Sequence, residues 1–124
     1  MLVLDAGALV ALDRNDRAMW ARFKDCKNSG SPPLTHGGVV GQVWRAGPRQ
    51  ARLAAALSGI ETRPLDEALG RAAGALLGRT GGADVVDAAV AALATDGDTI
   101  ITDDTDDLAR LVGATGRRVE LVRP

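Results

Sequence analysis

Five short strand-like runs separated by helical stretches constrain this chain more than any other feature. They are Leu2-Val3-Leu4, Leu34-Thr35, Ile60 to Arg63, Asp98 to Thr102 and Arg118 to Val122. Parallel strands need crossover connections of about a dozen residues or more, usually helical. The alternation therefore predicts an α/β domain with a central, mainly parallel sheet of four to five short strands flanked by helices. With 124 residues and no linker or repeat, the chain forms one domain, 1–124. A domain of that size buries roughly two-thirds of its unfolded surface.

Helices are expected from Gly7 to about Asp13, Asp16 to Lys27, Val39 to Ala46 and Arg49 to Leu57, then Asp66 to Gly78, Val85 to Thr95 and Asp104 to Val112. Asn28-Ser29-Gly30-Ser31-Pro32-Pro33 reads as a loop. Pro48 suits the first position of a helix, where its missing donor does no harm. Gly70 and Gly74, four residues apart, would let their helix approach a neighbour closely, and Gly81-Gly82 ends it. Asp84 precedes an apolar helical run and reads as an N-cap, with an outer metal ligand as the other reading.

Composition excludes several classes. The only aromatics are Trp20, Phe23 and Trp44, so there is no platform for stacking single-stranded bases. Trp44 reads as core or dimer-interface packing. Cys26 is alone, so no internal disulfide forms, and a reducing cytoplasm is the expected compartment. No run is long enough to span a membrane. Asp5-Ala6-Gly7-Ala8 is not a nucleotide-binding glycine loop, and Gly81-Gly82 has no lysine partner, so a P-loop is absent. The single histidine, His36, reads as a loop residue, and no His or Cys cluster offers a zinc site.

The charges are unevenly spread although the net charge is only −1. Thr80 to Asp107 contains eight aspartates and no Lys or Arg; four of them crowd into Thr102-Asp103-Asp104-Thr105-Asp106-Asp107. Val43 to Arg79 holds Arg45, Arg49, Arg52, Arg63, Arg71 and Arg79 against three acids. Asp5 ends the first strand, Asp87 lies in the first turns of a helix and Asp104 follows the strongest strand. In an open parallel sheet such ends converge on one edge. Hard divalent cations favour carboxylate and water oxygens. Two such ions about 3.5–4 Å apart can activate water and stabilise the leaving oxygen in phosphodiester cleavage. The chain lacks the lysine near the acidic edge that a phosphatase-like or receiver-like domain would want.

In this order, Leu4-Asp5, Gln42-Val43-Trp44-Arg45, Asp84-Val85-Val86-Asp87-Ala88-Ala89 and Thr102 to Leu108 resemble a PIN-domain ribonuclease toxin of the VapC type. The resemblance covers nearly the whole chain. It implies a PIN-like three-layer sandwich and an Mg²⁺- or Mn²⁺-dependent endoribonuclease, dimeric and restrained by a VapB-like antitoxin whose C-terminal segment covers the acidic cleft. Asp5, Asp87 and Asp104 match the acidic metal positions, and Asp107 a further one used less uniformly. Gln42 stands at a position where that pattern has Glu, and Gly7 replaces a small hydroxyl residue. Loss of a negative charge at Gln42 weakens a cation site, which leaves two readings open: an active nuclease, or a degenerate module that binds antitoxin or RNA. Arg45, Arg49 and Arg52, spaced to share one helix face, are the expected contacts to RNA phosphate or antitoxin carboxylate.

Overall fold

The computed structural model describes residues 1–124 as five parallel strands and seven α-helices. In chain order these are β1 (Leu2–Leu4), α1 (Ala6–Asp13), α2 (Arg17–Asn28), β2 (Leu34–His36) and α3 (Gly37–Val43). A 3-10 turn at Pro48–Gln50 leads into α4 (Ala51–Leu57). There follow β3 (Glu61–Arg63), α5 (Glu67–Thr80), α6 (Val85–Leu93), β4 (Thr99–Ile101), α7 (Thr105–Thr115) and β5 (Glu120–Val122). The sheet order is β3-β2-β1-β4-β5, with Val3 opposite both Leu34 and Ile100.

This order fixes where a site can form. The chain runs outward from β1 to β3, then returns to the other side of β1 to place β4 and β5. The direction reverses between β1 and β4, and the crevice at such a switch point opens at the C-terminal strand ends. Right-handed crossovers put α1–α4 on one face of the sheet and α5–α7 on the other.

Strands β1 and β4 are apolar on both faces, as helix-covered parallel strands tend to be, while interior β2 buries the polar Thr35 and His36. Val3, Leu4, Ile100 and Ile101 are wholly buried, whereas edge strand β3 is exposed throughout. Helix α6 is buried nearly all round through Ala88, Ala89, Val90 and Ala91. Its small side chains let it lie between the sheet and its neighbours α5 and α7. No helix is long and apolar enough to cross a membrane.

Several local expectations are corrected. Helix α3 stops at Val43 rather than Ala46: Trp44 is extended, and Ala46 takes a left-handed φ of 58°. Arg45, Arg49 and Arg52 therefore do not share one helix face. Arg45 instead folds back on the end of α3, donating to the carbonyls of Gly41, Gln42 and Trp44. Trp44 is 37% exposed, so it is not core. His36 is not a loop residue; it ends β2 and is wholly buried. Close packing against α5 does not use its glycines, since a Cβ at Gly70 or Gly74 would meet nothing within 4 Å. That open face yields a prediction. Gly74→Ala should stabilise the protein by about 0.5–1 kcal/mol, by removing the entropic cost of glycine inside a helix. Urea unfolding measures it, and a loss of stability would show that the face is covered.

Candidate metal centre

The end of β1 and the starts of α6 and α7 deliver carboxylates to the switch point. Asp5 follows β1, its amide still pairing with Ile101 of β4 at 3.0 Å. It is 4% exposed and occupies the N-cap position of α1, yet its side chain makes no capping bond. Oδ2 accepts from the Thr102 hydroxyl at 2.8 Å, while Oδ1 is buried without a partner. A buried oxygen left unpaired costs about 1–3 kcal/mol, and more when it carries charge.

Asp104 caps α7, and Asp107 lies in the first turn of that helix. The Asp107 amide donates to Asp104 Oδ1 at 3.4 Å. On the other side Asp84 caps α6, accepting from the amides of Val86 and Asp87. The N-cap reading of Asp84 therefore holds, and the cap sets the backbone from which Asp87 projects. Helices α1, α6 and α7 all begin at this edge, so the positive ends of their dipoles face the acids.

Asp87, Asp104 and Asp107 each offer a carboxylate oxygen, all within 4.8 Å of one another. Asp5 stands beside this trio and acts on it through charge. The carboxyl of half-buried Asp87 is pushed up to about 7, first by burial and then by the charges of Asp5, Asp84, Asp104 and Asp107. Asp104 is also raised, by loss of solvent and by Asp107 and Asp5, against the lowering effect of the Asp107 amide. Such crowding suits a cation bound by hard oxygen donors. The orphaned Asp5 oxygen and the all-carboxylate donor set both fit a divalent ion of the Mg²⁺ or Mn²⁺ kind.

The other expected residues lie outside this trio of carboxylates. Gln42 is exposed on the last turn of α3, where its carbonyl accepts from Arg45. Gly7 packs against Asp103: a Cβ there would come within 2.6 Å of Asp103 Oδ2. The missing hydroxyl residue at position 7 is thus matched by the acid filling its place. Arg52 lines the largest groove, about 730 Å³ between α2 and α4, together with Arg17, Trp20 and Lys24. Arg49 is exposed on the turn before α4.

Two positioning residues escaped the reading of the sequence. Thr102, wholly buried, donates to Asp5 and accepts from the Asp104 amide at 3.0 Å, joining both halves of the site. Its only signal was a hydroxyl closing a buried strand. His36 accepts from the Gly38 amide through Nδ1 and contacts the Val86 carbonyl through Nε2 at 3.0 Å. Burial lowers its pKa, partly offset by that carbonyl and by Asp5.

The parallel order and the acids at its C-terminal edge define a PIN-like fold. One chain in the crystal structure of VapBC2 from Rickettsia felis, bound to a DNA fragment from their promoter, superposes with a TM-score of 0.68. The superposition covers 97% of both chains at 14% sequence identity, which makes it a likeness of fold. No family model and no curated protein sequence matches this chain.

The raised carboxyl of Asp87 makes a testable demand. The folded state binds this proton more tightly than the unfolded chain, whose value is 3.8. The stability it contributes is full below that value and is lost as pH rises through about 7. His36, lowered, works in the opposite direction, so the comparison must be made against a variant. In chelator, Asp87→Asn should match the parent near about pH 4 and exceed it in thermal stability near about pH 8. Parallel curves would show that Asp87 is not under charge pressure.

Proposed function

We propose that this chain is the toxin of a type II toxin–antitoxin pair, a cytoplasmic Mg²⁺- or Mn²⁺-dependent endoribonuclease. The observation that carries the reading is the meeting of Asp87, Asp104 and Asp107 oxygens within 4.8 Å, beside the unpaired buried oxygen of Asp5. When bound, a hard divalent cation supplies Lewis acidity toward a phosphodiester and makes water acidic enough to attack at neutral pH.

The protein's part is to hold this geometry. Asp5 and Asp104 stand on fixed backbone, tied to each other through Thr102, and would help to hold such a cation. Asp87, its carboxyl raised to about 7, would have to release its proton to solvent to serve as a ligand. Asp107 completes the oxygen set from the first turn of α7. Exposed Arg49 and Arg52 are the candidates for phosphate contact, while Arg45 is engaged in closing α3. The groove between α2 and α4 is lined by three cations and no acid, which suits an acidic segment of a VapB-like antitoxin. A homodimer is expected, and exposed Trp44 is a large apolar side chain left free to join its interface.

Gln42 favours a second reading. Its amide can offer a carbonyl oxygen but no negative charge, so the module could keep its fold and partner without turning over RNA. Mn²⁺ titration and RNA cleavage by the parent, Asp104→Asn and Gln42→Glu separate the readings. The nuclease reading expects a dissociation constant below about 1 mM for the parent. It also expects a loss of about tenfold or more in Asp104→Asn, with cleavage falling alongside. Cleavage by Gln42→Glu alone would identify a site disabled at one position. Cleavage by Asp104→Asn at the parental rate would refute the assignment.

A further inference from the structure

His36 is wholly buried, polar, and unused by the chemistry above. The local sequence His36-Gly37-Gly38 is shaped around its ring: a Cβ at Gly38 would stand 2.8 Å from Cε1 and 3.1 Å from Nδ1. Because Nδ1 accepts from the Gly38 amide, the neutral ring carries its proton on Nε2 and donates it to the Val86 carbonyl. One side chain thus caps α3, which carries Gln42, and grips the first turn of α6, which carries Asp87.

That grip has mechanical work to do. Asp87 feels the repulsion of Asp5, Asp84, Asp104 and Asp107 at the end of α6. Asp84 holds the amides of Val86 and Asp87, and His36 holds the Val86 carbonyl, so the turn is fastened on both its donor and acceptor sides. We propose that His36 is a positioning residue: it pins the first turn of α6 to β2 and so fixes where the Asp87 carboxylate stands relative to Asp104 and Asp107. The consequence for metal binding rests on the nuclease reading; the pinning itself does not.

Two variants divide the ring's roles. His36→Asn keeps an acceptor near Nδ1 for the Gly38 amide but cannot reach Val86. His36→Gln keeps a donor near Nε2 for Val86 but loses the cap. Hydrogen exchange is measured without metal at Ala89 and Val90 of α6, with the β1 and β4 amides reporting global stability. Mn²⁺ affinity is measured by calorimetry on the same samples. The expected result is faster exchange at Ala89 and Val90 in His36→Asn with β4 unchanged, and about tenfold weaker Mn²⁺ binding. His36→Gln should stay within about threefold of the parent in affinity, and its α6 exchange should match the parent. Equal behaviour of the two variants, or exchange rising equally in α6 and β4, would overturn the proposal in favour of a purely structural histidine. If the parent binds no Mn²⁺, the metal reading falls and the exchange comparison alone decides: faster α6 exchange confined to His36→Asn supports the pinning, and its absence overturns it.

Discussion

Like charges gathered at the end of a buried strand pair would push one another into solvent unless the backbone held them, and much of this structure is arranged to resist that. The Thr102 hydroxyl stands between Asp5 and the Asp104 amide and fixes their separation. Asp84 fastens the start of α6, and three helix N-termini direct their partial positive charge at the edge. What these devices leave uncompensated is informative. One Asp5 oxygen stays buried and unpaired, and Asp87 keeps its proton up to about pH 7. Both deficits are of the kind that a divalent cation removes.

The position of the edge follows from the order of the strands. Because β1 and β4 are neighbours although ninety-odd residues separate them in the chain, Asp5 and Thr102 meet at 2.8 Å. Helix α6 reaches the same place because its alanines allow it to lie almost completely enclosed. Packing fixes the enclosed turns of α6, while its first turn, where Val85 is 41% exposed, is held against the repulsion by its bonds to Asp84 and His36. Close packing and electrostatic strain are therefore two aspects of one arrangement.

The strands, their order of appearance and the places of Asp5, Asp87 and Asp104 at the starts of α1, α6 and α7 were legible in the sequence because each depends on local chemistry. Leu2-Val3-Leu4 is a short apolar run closed by Asp5, Ile100-Ile101 is one closed by Thr102 just before the acids, and Asp84 precedes an uninterrupted helical segment. What stayed hidden depends on distant partners or on backbone that propensity does not report. His36 finds its acceptor fifty residues away at Val86, so it resembled a loop residue. The end of α3 was misplaced because Val39 to Ala46 contains no strong stop signal before Gly47. The chain turns there through Trp44 and a left-handed Ala46, and Arg45 takes up the carbonyls released. The three arginines looked like one face from their spacings of four and three alone, although Gly47-Pro48 separates Arg45 from the helix that carries Arg52. Gly70 and Gly74 suggested a tight contact that the alanines of α6 provide instead.

The proposed function requires the distant carboxylates to converge where a shared cation would sit. Anomalous diffraction from a crystal soaked in Mn²⁺ tests it most directly. A peak is expected within bonding distance of oxygens from Asp87 and Asp104, with Asp5 Oδ1 turned toward it directly or through one water. A fully soaked crystal with no peak at this edge, or with manganese held only at aspartates elsewhere on the surface, would contradict it.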